Sequence, residues 1–183
     1  YEANIRYLHH LGEVTYFSPL ADTSLPDAGF VYLPGGYPEL YLAALSANRL
    51  MLQSIRRYVE NGGKLLAECG GMMYLCDEIR DKNGDVYPMA GVLHQSATME
   101  NMKLRLGYRT LLYNDARLKG HEFHYSRLVE QQDPLPSCAV AYTAKGVETD
   151  TPLYHYKNVW AGYTHLYWAD PAGNDWFTKF IIK

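Results

Sequence analysis

The chain has 183 residues, of which 48% are hydrophobic and 20% charged, enough apolar side chain for a sizeable core without disulfide or metal staples, so disorder is excluded. A formal charge of −3, with both signs interspersed and no polybasic run, argues against nucleic acid or an anionic membrane as the main partner. No stretch nears the roughly 18 apolar residues of a membrane span or resembles a signal peptide, and Cys69, Cys76 and Cys138 are too few and wrongly spaced for a disulfide framework or a zinc site, so the chain reads as cytoplasmic with no metal site.

Tyr1, Ile5 and Leu8 repeat at helical spacing up to Gly12, and a chain opening inside a helix without methionine reads as a piece of something longer. Glu13 to Phe17 alternates into a Ser-Pro stop, and Gly29 to Leu33 is a continuous apolar run that ends at Pro34-Gly35-Gly36; both read as buried strands. Pro38 starts a short helix through about Leu45. A second helix follows, capped by Ser46 or Asn48, with Met51, Ile55, Tyr58 and Val59 on one face and Asn61-Gly62-Gly63 at its end. Lys64 to Glu68 is a third strand that runs into Cys69-Gly70-Gly71, and helical spacing resumes through Met72 to Ile79. This alternation predicts a parallel sheet with helices on both faces. The second half changes character. Asn83-Gly84 signals a hairpin, Leu104–Leu112, Glu122–Leu128, Cys138–Ala144 and Val159–Thr164 read as strands in antiparallel additions, and a helix over 171–182 capped by Asp170 turns Trp176, Phe177, Phe180 and Ile181 to the core. No repeat or linker divides residues 1–183, which read as one domain.

Ala67-Glu68-Cys69-Gly70-Gly71, set between a buried strand and a helix, has the form of a nucleophile elbow, in which a sharp turn exposes the middle side chain and small residues are needed two before and two after it. Helix-terminal N–H groups near Gly70 and Gly71 favour a thiolate at Cys69. A buried structural cysteine before a glycine-rich helix start would fit the same letters. An acyl-transfer cysteine also needs two donors for the developing oxyanion, and the amides of Gly70 and Gly36 are placed to supply them, although Pro34-Gly35-Gly36 could equally be an ordinary turn. For a general base, His165 follows a strand and emerges on the face where open α/β sheets bind ligands, with His121 and His124 as competitors. On a strand, His121 and Phe123 share one face and Glu122 and His124 the other, so HEFH is not a helical metal motif.

Five blocks now stand in order: Gly35-Gly36-Tyr37-Pro38-Glu39, Ala67 through Leu75, Gly107-Tyr108-Arg109, Gly120 through Ser126, and Tyr163 through Leu166. Together they resemble the C-terminal glutamine amidotransferase domain of the cobyrinate a,c-diamide synthases, over about residues 1–168. The resemblance implies a class I glutamine amidotransferase on a flavodoxin-like α/β fold, with a mostly parallel sheet, helices on both faces and antiparallel additions. It implies that Cys69 attacks the side-chain amide of glutamine to form a thioester, that His165 shuttles protons, and that Gly36 and Gly70 hold the oxyanion. The ammonia would go to an N-terminal synthetase domain of the same polypeptide, which uses ATP and Mg to amidate the a- and c-carboxylates of cobyrinic acid in cobalamin biosynthesis. This domain itself would carry no cofactor.

Two departures accompany the resemblance. Tyr167 stands two residues after His165, where most triad amidotransferases carry a carboxylate, so a Cys69–His165 dyad is expected and the group that orients His165 is left open. No G-x-x-x-x-G-K-[ST] loop occurs, so ATP has no such site here. Tyr37, His121, Glu122, His124 and Tyr125 are candidates for a pocket wall or an interface to the synthetase domain, with core packing as the competing use. Glu68 could orient a histidine or be a buried, hydrogen-bonded acid, and Cys76, taken as two turns down the helix from Cys69, reads as packing. The alternatives left open are a nickel-sirohydrochlorin a,c-diamide synthase or cobyric acid synthase domain, a non-catalytic docking module, a cysteine peptidase on the same fold, and a homodimer.

Overall fold

The computed structural model describes residues 1–183, the side chain of Phe180 excepted. In chain order the elements are α1 (Glu2–Leu11), β1 (Phe30–Leu33), a 3-10 turn (Pro38–Leu40), α2 (Leu42–Ala47), α3 (Arg49–Glu60), β2 (Lys64–Glu68), α4 (Gly70–Leu75), β3 (Cys76–Arg80), β4 (Val86–Pro88), β5 (Leu93–Thr98), β6 (Arg105–Tyr113), β7 (Ala116–His124), β8 (Arg127–Leu128), β9 (Val140–Thr143), β10 (Glu148–Thr149), β11 (Leu153–Tyr156), β12 (Val159–Gly162), β13 (His165–Tyr167), α5 (Pro171–Trp176) and a π-helical turn (Phe177–Ile182).

The central sheet runs β1-β2-β12-β11, with the first three strands parallel and β11 antiparallel. Its strands are apolar on both faces because each face has its own core. Val31, Leu33, Leu65 and Ala67 turn to one core with Met51, Ile55 and Val59 of α3 and Met72 and Met73 of α4. Leu66 and Trp160 turn to the other, where Trp168, Trp176, Phe177 and Ile181 are buried against Tyr7 and Leu8 of α1. Asp170 caps α5 by accepting from Gly173 N at 2.7 Å, and Asn48 caps α3 by accepting from Met51 N. Phe180, expected on the core face of the last helix, has its side chain outside the described residues.

After β2 the chain adds β12 and the antiparallel β11 to the central sheet and forms two further sheets: β10-β9-β6-β7-β13, all antiparallel, and β4-β3-β5-β8. The hairpin expected at Asn83-Gly84 joins β3 to β4, with the Asp81 carboxylate accepting from Asn83 N and Asp85 N.

Two expectations are corrected. The helix after Cys69 stops at Leu75, and Cys76 opens β3; Cys76 and Ile79 are both buried although three apart because the register with β5 shifts between Cys76 and Glu78, and pairing with both β4 and β5 makes the segment a strand despite its helical spacing. Glu13–Phe17 joins no sheet and is exposed or half-buried rather than buried, lying across a groove from the edge strand β1. Among the described residues, Val14–Phe17 make no backbone–backbone hydrogen bond.

Candidate active site

Three strand ends converge on one spot. The register pairs Leu33 with Ala67 and Gly162 with Glu68, so β1, β2 and β12 deliver the Pro34–Gly36 loop, Cys69 and the run into His165 at the same level of the sheet. Cys69 has a positive φ, 51°, with ψ −112°, the strained elbow expected from its sequence, and such a conformation costs about 1–3 kcal/mol. Close packing holds it there. A Cβ on Gly71 would lie 2.4 Å from the Leu33 carbonyl oxygen, and one on Gly70 would lie 2.6 Å from that of Gly36, so the elbow and the Gly36 loop touch backbone to backbone. Gly35 has φ +118° and leaves no room for a side chain against the His165 ring; Gly36, at φ +133°, faces open space.

His165 lies between Cys69 and Glu68, with Nδ1 3.6 Å from Glu68 Oε2. Burial pulls the imidazole's pKa down, but the bonds and charges of Cys69 and Glu68 outweigh it and push it up to about 9. Glu68 is fixed from two sides: Tyr32 Oη donates to Oε2 at 2.8 Å and Leu166 N donates to Oε1 at 3.2 Å. The orienting carboxylate absent at Tyr167 is thus supplied by the residue before the cysteine. β13 is anchored in turn by Asn4, fully buried on α1, which donates to Leu166 O at 2.7 Å and accepts from Trp168 N at 3.1 Å. Nothing in the sequence reading singled out Asn4 or Tyr32. The available signal was a polar residue on the apolar stripe of Tyr1, Ile5 and Leu8.

The His121–Tyr125 segment divides by strand parity. His121 stacks on His165 with centroids 5.0 Å apart, and its Nδ1 is 2.7 Å from Tyr1 Oη; burial and then the neighbouring His165 charge lower its pKa. Phe123 is exposed at its ring, while its carbonyl accepts from the Cys69 thiol at 3.7 Å. Glu122 and His124 turn inward, away from any pocket or outer surface. Arg109 Nε donates to Glu122 Oε1 at 3.0 Å, Thr151 Oγ1 bonds the same oxygen, and His124 Nε2 is 3.3 Å from Oε2. Burial opposes the Glu122 carboxylate, yet these bonds hold its pKa down at about 2. His124 stacks on Tyr163 at 3.7 Å, and Ser126 bonds the Tyr163 hydroxyl at 2.9 Å, so the segment braces the approach to His165 from beneath. Tyr37 and Tyr125 are exposed, at 55% and 41%, on the outer rim. Cys76 is fully buried and its thiol is pushed up by burial; burial likewise lifts Cys138, to about 11. A strained, glycine-packed cysteine beside a carboxylate-held imidazole is an arrangement that can perform nucleophilic acyl transfer.

A hydrogenobyrinate a,c-diamide synthase of Pseudomonas aeruginosa is 39% identical over 173 residues, and a cobyrinate a,c-diamide synthase of Fusobacterium nucleatum is 40% identical over 173 residues, each covering 91% of this chain. The chain spans 38% of the length of each of these relatives. Among solved structures, PurLQS from Thermotoga maritima superposes with a TM-score of 0.58 at 19% identity over 90% of this chain and 80% of that one. A glutamine amidotransferase superposes with a TM-score of 0.54 at 16% identity over 85% and 80%. The fold is that of the class I glutamine amidotransferases. The model of the CobB/CobQ-like glutamine amidotransferase domain matches residues 1–173, and the chain belongs to that family.

Proposed function

We propose that this chain is a glutaminase module that releases ammonia from glutamine through a thioester on Cys69. The observation that carries this reading is the Cys69–His165–Glu68 alignment at the end of the parallel sheet, with the Gly36 and Gly70 backbones in contact beside it. In the proposed sequence the Cys69 sulfur adds to the carboxamide carbon of glutamine with the thiol proton already held on His165, whose raised pKa keeps the imidazole charged. The carbonyl oxygen becomes an oxyanion that the amides of Gly36 and Gly70 receive, each such donor being worth about 3 kcal/mol in the transition state. The C–N bond then breaks as His165 gives its proton to the departing nitrogen, releasing ammonia and leaving a glutamyl thioester. Water, deprotonated by His165, attacks the thioester, and the C–S bond breaks to free glutamate. Glu68, whose pKa burial raises while the bonds of His165 and Tyr32 oppose the rise, faces His165 Nδ1 and orients the imidazole, the part an aspartate plays in serine hydrolases.

The names of the relatives and the fraction of their length that this chain covers support a fuller role. The ammonia is consumed by a separate ATP- and Mg-dependent synthetase domain, which activates the a- and c-carboxylates of a cobyrinate-type corrinoid for amidation. Labelling by a glutamine-mimicking diazoketone tests the site without requiring that second domain. One label per chain on Cys69, prevented by excess glutamine and lost in Cys69→Ala, is the expected result. Labelling of Cys76 or Cys138 with Cys69 spared would overturn it.

A further inference from the structure

The proposed hydrolysis cycle leaves His121 without a part, although it touches the residue that carries the proton. β7 pairs with both β13 and β6, and the register sets His121 directly across from His165 on one side and from Tyr108 on the other. Gly120 lets β7 and β13 come this close, since a Cβ there would run into the His165 carbonyl oxygen and lie 2.6 Å from Thr164 Cγ2. The result is a stack: the His121 and His165 ring centroids are 5.0 Å apart, with the planes 26° from parallel. His121 is itself tied down. Its Nδ1 is 2.7 Å from Tyr1 Oη, the Tyr1 ring meets it edge-on at 5.1 Å, and Tyr1 rests in turn against Tyr167 at 5.1 Å.

The other restraints on His165 leave one motion open. Glu68 Oε2 approaches Nδ1 at 3.6 Å, longer than an ordinary hydrogen bond, and Gly35 crowds Cε1, to which a Cβ on that glycine would come within 2.9 Å. Each acts on a single ring atom and opposes rotation about the Cβ–Cγ bond only weakly, whereas a second ring laid on the face opposes it directly. We propose that His121 is a positioning residue for this site: its ring, held by Tyr1, covers one face of the His165 imidazole and keeps that imidazole turned to Cys69 and Glu68 while the proton it carries comes and goes. The role rests on the reading of His165 as the proton carrier. The chemistry fits. Burial, and then the charge of His165, hold the His121 pKa below its ordinary value, so at neutral pH an uncharged aromatic face meets an imidazolium, which is an attractive pairing. The rings meet face to face, a geometry for support and not for proton exchange between them, and this separates His121 from a second general base.

Exchange of the His165 Cε1 hydrogen in deuterium oxide, read by mass spectrometry, follows the ring without any turnover of glutamine, because Gly35 shields Cε1 only while the ring keeps its place. In His121→Ala, and in His121→Val, which retains strand propensity without a ring, that exchange should quicken at least about 5-fold, and iodoacetamide alkylation of Cys69 near neutral pH should slow at least about 5-fold. His121→Phe, a flat ring that carries no charge, should stay within about 2-fold of wild type on both rates. A wild-type value of either rate in the folded Ala and Val proteins would overturn the inference. So would a Phe protein altered as much as those two, which would assign the effect to the imidazole's bond with Tyr1 and not to the stack. Failure of the glutamine-mimicking diazoketone to label Cys69 would remove the glutaminase reading instead, and would leave the comparison of these two rates intact.

Discussion

Glu68→Gln removes the charge beside His165 while keeping an oxygen that can accept from Leu166 N. At 3.6 Å, a carboxylate–imidazolium pair in an effective dielectric of 20 is worth about 5 kcal/mol. The displacement of His165 from 6.5 to about 9 corresponds to about 3 kcal/mol, and the Cys69 bond supplies part of it. Loss of the Glu68 share, about 1.5–3 kcal/mol, should lower kcat/KM for glutamate release roughly 10–100-fold. It should also be visible without turnover. A raised imidazolium pKa extends the range in which a charged His165 faces the Cys69 sulfur upward toward pH 9, so the alkaline arm of the iodoacetamide alkylation profile of Cys69 should move at least one unit toward acid in Glu68→Gln. Unchanged alkylation and unchanged kcat/KM in a folded Glu68→Gln protein would refute the assignment of Glu68 as the group that holds His165.

Gly71→Ala forces a Cβ to 2.4 Å from the Leu33 carbonyl and should cost at least about 2 kcal/mol in urea unfolding together with Cys69 labelling; wild-type stability would show that the elbow is not held by this contact. Glu122, with a side chain that is 0% exposed, is held at about 2 against an ordinary 4.5, so its contribution is complete above about pH 4.5 and is lost as pH falls through 2. The unfolding free energy from urea titrations should therefore fall with acid over that window by about 3 kcal/mol, and Glu122→Gln should be less stable at pH 7 with a flatter profile. Asn4→Leu leaves Leu166 O and Trp168 N without partners in a buried layer, and should cost about 2–3 kcal/mol while shifting the His165 ring resonances in NMR; intact resonances would separate α1 from the site.

Most of the elbow was legible because its requirements are local. A nucleophile on a tight strand-to-helix turn needs small neighbours at fixed offsets, and Ala67 and Gly71 stand at those offsets. Strand parity likewise set Glu122 and His124 apart from His121 and Phe123 before any partner was known. What escaped depends on tertiary placement. Arg109, Thr151 and Tyr163 come from three separate strands or loops, and no spacing in one dimension brings them to Glu122 and His124. The helical spacing through Met72–Ile79 misled because α4 and β3 abut with no turn residue between them and Cys76 and Ile79 continue the apolar spacing of α4, and only pairing with β4 and β5 decides where one ends. Glu68 was readable as a choice between two uses. Its register opposite Gly162, which points its carboxylate under the loop that carries His165, resolves the choice.

That register also explains why site and fold cannot be varied independently. A one-residue slip of β2 against β1 or β12 would exchange the faces of Leu65, Leu66 and Ala67 between the two cores and would carry Glu68 away from Leu166 N. The strain at Cys69 is held by Gly70 and Gly71 packing on the Gly36 loop and on Leu33, so relief of strain at the elbow requires β1 to move, and β1 is the strand with a free edge. Substitutions along Phe30–Leu33 should consequently alter Cys69 reactivity more than equally destabilising ones in the antiparallel sheet. Matched pairs test the point: Val31→Ala against Leu118→Ala, both buried, compared for Cys69 alkylation rate at equal loss of unfolding free energy. Equal effects on alkylation would mean that the elbow senses only global stability and not the position of β1.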